Sequence, residues 1–148
     1  MRTDDLESVR DLERLSFSSP WTANLIAHEL AVPGSRTLVV RESSDNYPTS
    51  VIAYASFRVA AGEMQLMRIA VHPLRRRSGI GEQLHQACLR RAARAGAGYV
   101  VLEVRAANTP AKAFYEKAGY RLVGQRPNYY VETGETALIY QLELREET

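Results

Sequence analysis

Apolar residues in the first part of the chain recur at helical spacing. Leu6, Val9, Leu12 (or Glu13) and Leu15 with Ser16 form a rough apolar stripe. This predicts a helix capped by Thr3 or Asp4 and running to about Phe17. Ser18, Ser19 and Pro20 stop it. A second helix is predicted from Thr22, carrying Leu25, Ile26, Glu29 and Leu30, with Pro33 and Gly34 closing it. The pattern then changes to short β-rich runs. Residues 37–40 form one strand, 43–49 read as a loop, and 51–60 form a longer strand. A turn at 61–62 leads back into a strand at 64–71, completing an antiparallel meander.

The second half alternates helix and strand. A long helix is predicted from Gly79 or Ile80, with Ile80, Leu84, Ala87, Cys88, Ala92 and Ala95 on one face and Arg90, Arg91 and Arg94 mostly off it. Gly96 and Gly98 end that helix, and residues 99–104 form a strand. Asn108, Thr109 and Pro110 read as a cap with proline at the first helical position. This last helix runs to Ala118, with Gly119 as the residue that ends it. Residues 120–124 and 137–144 are the closing strands. The order predicts an α/β (α+β) fold, a mixed sheet with helices on both faces.

Composition narrows the function classes. The chain has 148 residues, 45% hydrophobic and 24% charged, which suits a single domain spanning 1–148. A net charge of +2 does not call for nucleic acid or a membrane surface. The lone cysteine, Cys88, excludes an intrachain disulfide and fits a reducing compartment. No run of about 18 apolar residues is present, so no spanning helix is expected. The start, Met1-Arg2-Thr3-Asp4-Asp5, is unlike a signal peptide. A soluble cytoplasmic protein is expected. His28, His72 and His85 are scattered without metal-ligand spacing, so no metal is expected.

The segment 64–95 carries the most chemistry. Gly79 and Gly81 lack side chains at a helix start, where backbone can approach a ligand closely. Free N–H groups and the helix dipole there attract an anion, and the preceding arginines add charge that suits a pyrophosphate. Neither a P-loop nor a dinucleotide fingerprint is present, because no Gly-Lys-Ser/Thr follows and the third glycine would fall at Leu84. By itself this pattern is also compatible with a tight turn into a helix, and the Arg75-Arg76-Arg77 run with a solvated loop.

Arg76-Arg77-Ser78-Gly79-Ile80-Gly81 resembles the Gln/Arg-x-x-Gly-x-Gly/Ala pattern of the GNAT acetyltransferase superfamily. Ile69-Ala70-Val71-His72-Pro73 is similar to the family strand that pairs with the pantetheine arm of coenzyme A. The run from Asn108 through Pro110, Phe114 and Tyr115 to Gly119 and Tyr120 resembles the last core motif. The resemblance covers roughly residues 4 to 144. It implies acetyl-CoA as co-substrate, held by Ile69, Ala70 and Val71, by Arg76, Arg77, Ser78, Gly79, Ile80 and Gly81, and by Asn108 and Tyr115.

A narrower resemblance is to the RimI branch, which acetylates the N-terminal alanine of a small-subunit ribosomal protein. It rests on Leu102-Glu103-Val104-Arg105-Ala106-Ala107-Asn108, on Arg126-Pro127-Asn128-Tyr129-Tyr130 and on the stretch from Phe17 to Trp21. That branch implies a protein N-terminal peptide as partner. Three positions depart from the pattern. The implied strand before the first helix has only Met1 to Thr3 to form it, so either the sheet lacks it or the start lies upstream. Thr136 stands where an aspartate is usual, and Ala107 where a serine is usual.

Amide formation from a thioester needs a base, carbonyl polarisation and an acid for the leaving thiolate. Strand alternation places Glu103 with Tyr99 and Val101 on one largely apolar face, where desolvation raises a carboxylate's pKa. Glu103 is the expected base, acting directly or through a water. The competing role is an edge carboxylate paired with Arg105 or Arg68. Tyr115 is the expected acid, near the thioester sulfur by resemblance, and its phenol is a suitable donor. Its competing role is a core tyrosine packed beside Ala111 and Ala118. Asn108 has a capping role from its position and a pantetheine contact from the resemblance. A backbone N–H in 69–71 is expected to polarise the carbonyl. Tyr129 and Tyr130 line an acceptor groove or pack the last hairpin. Trp21 and Cys88 read as packing residues. Three functions follow: acetylation of a protein N-terminus, acetylation of a small-molecule amine, and a non-catalytic CoA-binding or scaffold module.

Overall fold

The computed structural model describes residues 1, 5–17, 19–44 and 47–144. Helices α1 (Leu6–Ser16) and α2 (Ala23–Leu30) come first, followed by strands β1 (Ser35–Ser44), β2 (Tyr47–Ala60) and β3 (Glu63–Val71). Helix α3 (Ile80–Arg94), strand β4 (Tyr99–Arg105) and helix α4 (Thr109–Lys117) follow, then β5 (Arg121–Tyr130) and β6 (Glu135–Glu143). Among the described residues the strands form one mixed sheet in the order β1-β2-β3-β4-β6-β5. This is the expected α/β (α+β) architecture. Thr3 and Asp4, the predicted caps, lie outside the described residues, as does most of the segment on which a strand before α1 would fall.

Several boundaries differ from the sequence pattern. Helix α1 is capped at Asp5, which makes no side-chain capping bond and instead pairs with Arg41 on β1. Leu15, assigned to the buried stripe, is 53% exposed, because the stripe is set by Val9, Leu12 and Glu13. The predicted loop at 43–49 is mostly ladder, with Ser44 opposite Tyr47. Strand pairing needs backbone groups rather than apolar side chains, so it continues through polar residues. Likewise β5 runs on to Tyr130 although almost all of it is exposed. On α3, His85 and Leu89 join the buried face and Ala95 is exposed.

Two cores sandwich the sheet. On one face α3 and α4 pack Leu84, Cys88, Ala92 and Tyr115 against Ala53, Ala55, Phe57, Val100, Leu102 and Val104. On the other, α1 and α2 pack Val9, Leu12 and Ile26 against Val51, Tyr54 and Ala70. Gly34, with φ +80°, leads into β1, and a Cβ there would sit 2.5 Å from the Val59 carbonyl oxygen.

Three ion pairs tie the helices α1 and α2 to the sheet. Asp5 pairs with Arg41 of β1, Glu29 with Arg58 of β2 and Glu13 with Arg68 of β3. Arg58 Nε donates to Glu29 Oε1 at 2.7 Å, and this bond holds the Glu29 carboxyl below the usual carboxylate range.

A bulge decides what β3 presents to each face. Ser56 pairs with Arg68 and Phe57 with Leu66, so Met67 is an extra residue on β3. One extra residue reverses the alternation of side chains. Before it, Met64 and Leu66 enter the core under α3; after it, Ala70 belongs to the α1 side and Arg68 reaches Glu13 of α1.

Candidate active site

The site begins with a break in the sheet. Strands β3 and β4 pair only through Glu63 with Tyr99, Met64 with Val100 and Gln65 with Val101. Beyond these residues the two strands part. A cleft of about 720 Å³ opens between them, lined by β3 from Leu66 to Val71 and β4 from Leu102 to Arg105. Backbone N–H and C=O groups on the facing strand edges are left to a ligand or to water.

One end of the cleft is the predicted anion cradle. Arg77 has φ +62° and Gly79 φ +82°, so the loop coils tightly before α3. The helical ladder starts with Gln83 N–H on Gly79 O at 3.0 Å, which leaves the Ile80, Gly81 and Glu82 N–H groups without an intrahelical acceptor. Alternating backbone hands and a helix start together make an anion-binding concavity. At Gly81 a Cβ would lie 3.5 Å from Val71 Cγ2 and 3.7 Å from Phe114 Cε2, so a methyl fits there in ordinary contact and a larger side chain would reach into the cleft mouth.

The arginines divide their work. Arg75 is held by Glu42, with Nε 2.8 Å from Oε2. Arg76 Nε donates to the Val71 carbonyl at 3.2 Å, bracing the loop against the end of β3. Ser78 Oγ turns back to the Arg75 carbonyl, and neither Ser78 nor Ile80 lines the cleft. Arg76, Arg77, Gly79 and Gly81 do line it, as do Ile69, Ala70 and Val71. The residues present thus fit a pyrophosphate at this end: backbone donors at a helix start, two glycines and cationic side chains.

Base and acid candidates sit on opposite sides of the sheet. Val100, Leu102 and Val104 point into the α3 core, so alternation turns Glu103 and Arg105 to the other face. The Glu103 side chain is 25% exposed and lines the cleft, with Arg126 Nη1 3.5 Å from Oε1. Tyr129 donates its hydroxyl to the same carboxylate, and this bond raises the Tyr129 phenol above its ordinary range. The competing edge-carboxylate role would pair Glu103 with Arg105 or Arg68. Both are engaged elsewhere, Arg105 with Glu135 and Arg68 with Glu13. The surroundings of Glu103 are therefore polar on its outer side, not apolar as the alternation suggested.

Tyr115 projects from α4 into the other wall. It is 8% exposed, lies edge-on to Phe114 and Tyr120, and lines the cleft. Ala111 and Ala118 pack in the same core, so the packing role is real as well. Burial pushes its phenol above the usual tyrosine range, which keeps it protonated and able to donate. Asn108 caps α4 by accepting from Ala111 N–H at 3.2 Å and also lines the cleft.

The hairpin of β5 and β6 closes the Glu103 side. Tyr130 lines the cleft, and Arg105 stacks on its ring at 3.7 Å. Tyr129 lies edge-on to Tyr130 at 5.2 Å but does not itself line the cleft. Glu135 accepts from Ala107 N–H at 2.8 Å and pairs with Arg105, joining the hairpin to the turn before α4. Glu135 and the Arg126 contact carry no signal in the local pattern, because both depend on which strands become neighbours. Phe17 and Ser19, at the end of α1, also line the cleft.

Cys88 and His85 form no nucleophilic pair. Both are buried, and burial pushes the thiol up to about 12 and the imidazole down to about 4. His85 Nε2 instead meets the Tyr120 hydroxyl at 2.7 Å. Among the described residues no group of three or more His, Cys, Asp or Glu is placed to hold a metal. Among the described residues no helix is long and apolar enough to cross a membrane.

The model of the Acetyltransferase (GNAT) family matches residues 6–120. The chain belongs to the GNAT family. A member of this family transfers acetyl from acetyl-CoA to an amine, so the chain is an acetyl-CoA-dependent N-acetyltransferase. It is 33% identical to an inferred ribosomal protein bS18-alanine N-acetyltransferase of Bacillus subtilis over 147 residues, covering 99% of this chain and 94% of that one. The ribosomal protein bS18-alanine N-acetyltransferase of Escherichia coli is 31% identical over 144 residues, covering 96% and 93% of the two chains. The crystal structure of the ribosomal-protein-S18-alanine N-acetyltransferase from Escherichia coli superposes with a TM-score of 0.85 at 27% identity, over 100% of this chain and 93% of that one. The GNAT fold and the α/β class expected from sequence are therefore both present.

Proposed function

We propose that this GNAT enzyme acetylates the N-terminal α-amine of a protein, with the alanine of a small-subunit ribosomal protein as its leading acceptor. The observation that carries this reading is the passage through the sheet. Glu103 reaches it from one face and Tyr115 from the other. An acceptor entering on the Glu103 side meets a thioester whose sulfur lies toward Tyr115. The likeness to bS18-alanine acetyltransferases along nearly the whole chain supports a peptide as that acceptor.

In the reaction the ammonium first loses a proton to Glu103, directly or through a water. The free amine attacks the thioester carbonyl carbon, and a C–N bond forms as the C–S bond breaks. Tyr115 gives its proton to the departing thiolate, and the second proton that the new amide nitrogen sheds restores the phenol, while the first leaves Glu103 for solvent. A backbone N–H of β3 within residues 69–71 polarises the carbonyl oxygen. The loop from Arg76 to Gly81 would hold the pyrophosphate, through the charge of Arg76 and Arg77 and the backbone of Ser78, Gly79, Ile80 and Gly81. Ile69, Ala70, Val71 and Asn108 meet the pantetheine arm. Tyr130, stacked under Arg105, and Tyr129 flank the acceptor. On this reading residues 1–148 work as a single domain in the cytoplasm, on a protein partner and without nucleic acid or membrane.

Incubation with acetyl-CoA and a synthetic ribosomal-protein N-terminal peptide is expected to yield a singly acetylated peptide by mass spectrometry. Turnover confined to a free polyamine or drug amine would instead establish a small-molecule acceptor. Thr136, standing at the aspartate position of the RimI pattern, favours keeping that second acceptor class in the same panel.

A further inference from the structure

We infer that Arg68 is a positioning residue for the acceptor, acting by clamping the segment between α1 and α2 against the mouth of the cleft. The inference rests on the acetyltransferase reading above but not on the identity of the acceptor. The bulge at Met67 turns Arg68 to the Glu103 side of the sheet. There its Nη2 donates to the Ser19 carbonyl at 3.0 Å and to Glu13 Oε2 at 3.2 Å. Its guanidinium lies over the Phe17 ring at 4.0 Å and the Trp21 ring at 4.9 Å. One side chain therefore holds three points of a segment whose Phe17 and Ser19 line the cleft.

The anchor beneath it is built, not incidental. Glu13 is fully buried on α1. Its Oε2 also accepts from Trp21 N–H at 2.9 Å, and its Oε1 accepts from the Tyr54 hydroxyl. A buried carboxylate needs this full set of donors. Glu13 is thus a hub joining α1, β2, β3 and the segment that follows α1. Among the described residues that bond to Glu13, Arg68 lines the cleft and Trp21 and Tyr54 do not. A planar, delocalised cation suits the place, because it can stack on two rings while donating at its edge. Lysine keeps the charge but cannot stack in this way.

The segment is held on the face of the sheet to which Glu103 turns, whereas the anion cradle starts α3 on the opposite face. Its displacement should therefore affect the acceptor and spare the cofactor. Misplacing a wall of a reacting site by even 1 Å can cost about 100-fold in rate. The chain has one tryptophan, Trp21, so its fluorescence reports the clamp without any need for turnover.

The test uses the full chain with Arg68→Lys and with the double change Glu13→Gln, Arg68→Met. The double change removes both charges together and so avoids leaving one buried alone. Acetyl-CoA Kd is read by calorimetry, acceptor KM and kcat by steady-state kinetics, and Trp21 exposure by acrylamide quenching. Both variants are expected to raise acceptor KM by about tenfold or more, with kcat falling less, acetyl-CoA Kd unchanged and Trp21 quenching increased. Quenching equal to that of the wild type overturns the clamp. Increased quenching with unchanged acceptor KM overturns its role in positioning. A parallel rise in acetyl-CoA Kd and acceptor KM shows general loosening and also overturns it. If the wild type acetylates a polyamine but no peptide, the peptide reading fails, and the same constants measured with the polyamine still decide the clamp.

Discussion

Nη1 of Arg126 lies 3.5 Å from Oε1 of Glu103, and the Tyr129 hydroxyl donates to the same carboxylate. Two side chains of one hairpin thus aim the carboxylate that serves as the proposed base. Glu103→Gln keeps the shape and loses the proton acceptor. It is expected to lower kcat/KM by about 100-fold or more while acetyl-CoA Kd stays within threefold or so of wild type. Stopped assays of free thiol release, paired with calorimetry, measure both. A variant with full activity removes Glu103 from the mechanism.

Tyr115→Phe deletes one hydroxyl that makes no hydrogen bond to a described residue. Stability should change by less than about 1 kcal/mol, because no buried partner is left unpaired. Rate should fall by about 100-fold, because the thiolate must then leave without its donor. Thermal unfolding and single-turnover kinetics separate the two effects. A large loss of stability with little loss of rate would make Tyr115 a packing residue only.

At the cradle, Gly79→Val and Gly81→Val act by different routes. Gly79 has open space around it but holds φ +82°, so a β-branched residue strains the turn. Gly81 has an ordinary backbone, and its valine methyls would crowd Val71 and Phe114 at the cleft mouth. Each is expected to weaken acetyl-CoA binding by about tenfold or more, through loop shape in one case and obstruction in the other. Calorimetric titration with acetyl-CoA measures this, and unchanged affinity in a folded variant would remove the pyrophosphate role.

His85 makes folding sensitive to mild acid. Burial lowers its pKa from 6.5 to about 4, so between these values the unfolded chain binds the proton and the folded chain does not. The contribution of neutral His85 is fully present above pH 6.5 and is lost as pH falls toward 4. Between pH 7 and pH 5 the loss is about 2 kcal/mol. Urea titrations of wild type and His85→Gln at both pH values test this. The glutamine variant should lack that part of the slope, and equal slopes would contradict the assignment.

Much of the fold was legible because the local patterns carried it. The start of α3 at Gly79 and Ile80, the Asn108 cap and the alternation of β4 all act within a few residues, and each is found where the pattern put it. The ladder through 43–44 and the length of β5 were not legible, since polar residues pair as strands only once a neighbour is beside them. The site followed the same division. The glycines could be singled out from their own segment, whereas Glu103 and Tyr115 stood out only through the family resemblance of theirs. The partner of Glu103 could not, because Arg126 arrives from a strand separated from β4 by β6 in the sheet order. Nor could the side chosen by Arg68. A period of two carried through β3 would have put it under α3 with Leu66, and a single extra residue sent it to the opposite face.

The three pairs joining α1 and α2 to the sheet share one polarity. Every carboxylate lies on a helix or at its N-cap and every guanidinium on a strand. Slid along by a turn, or docked the other way round, the helix layer would have to strand acids beside apolar positions and leave arginines facing nothing. The charges therefore act as a key as well as a fastening. They favour one placement of the two helices, and so index both ends of the connection that, on the proposed reading, faces an incoming amine.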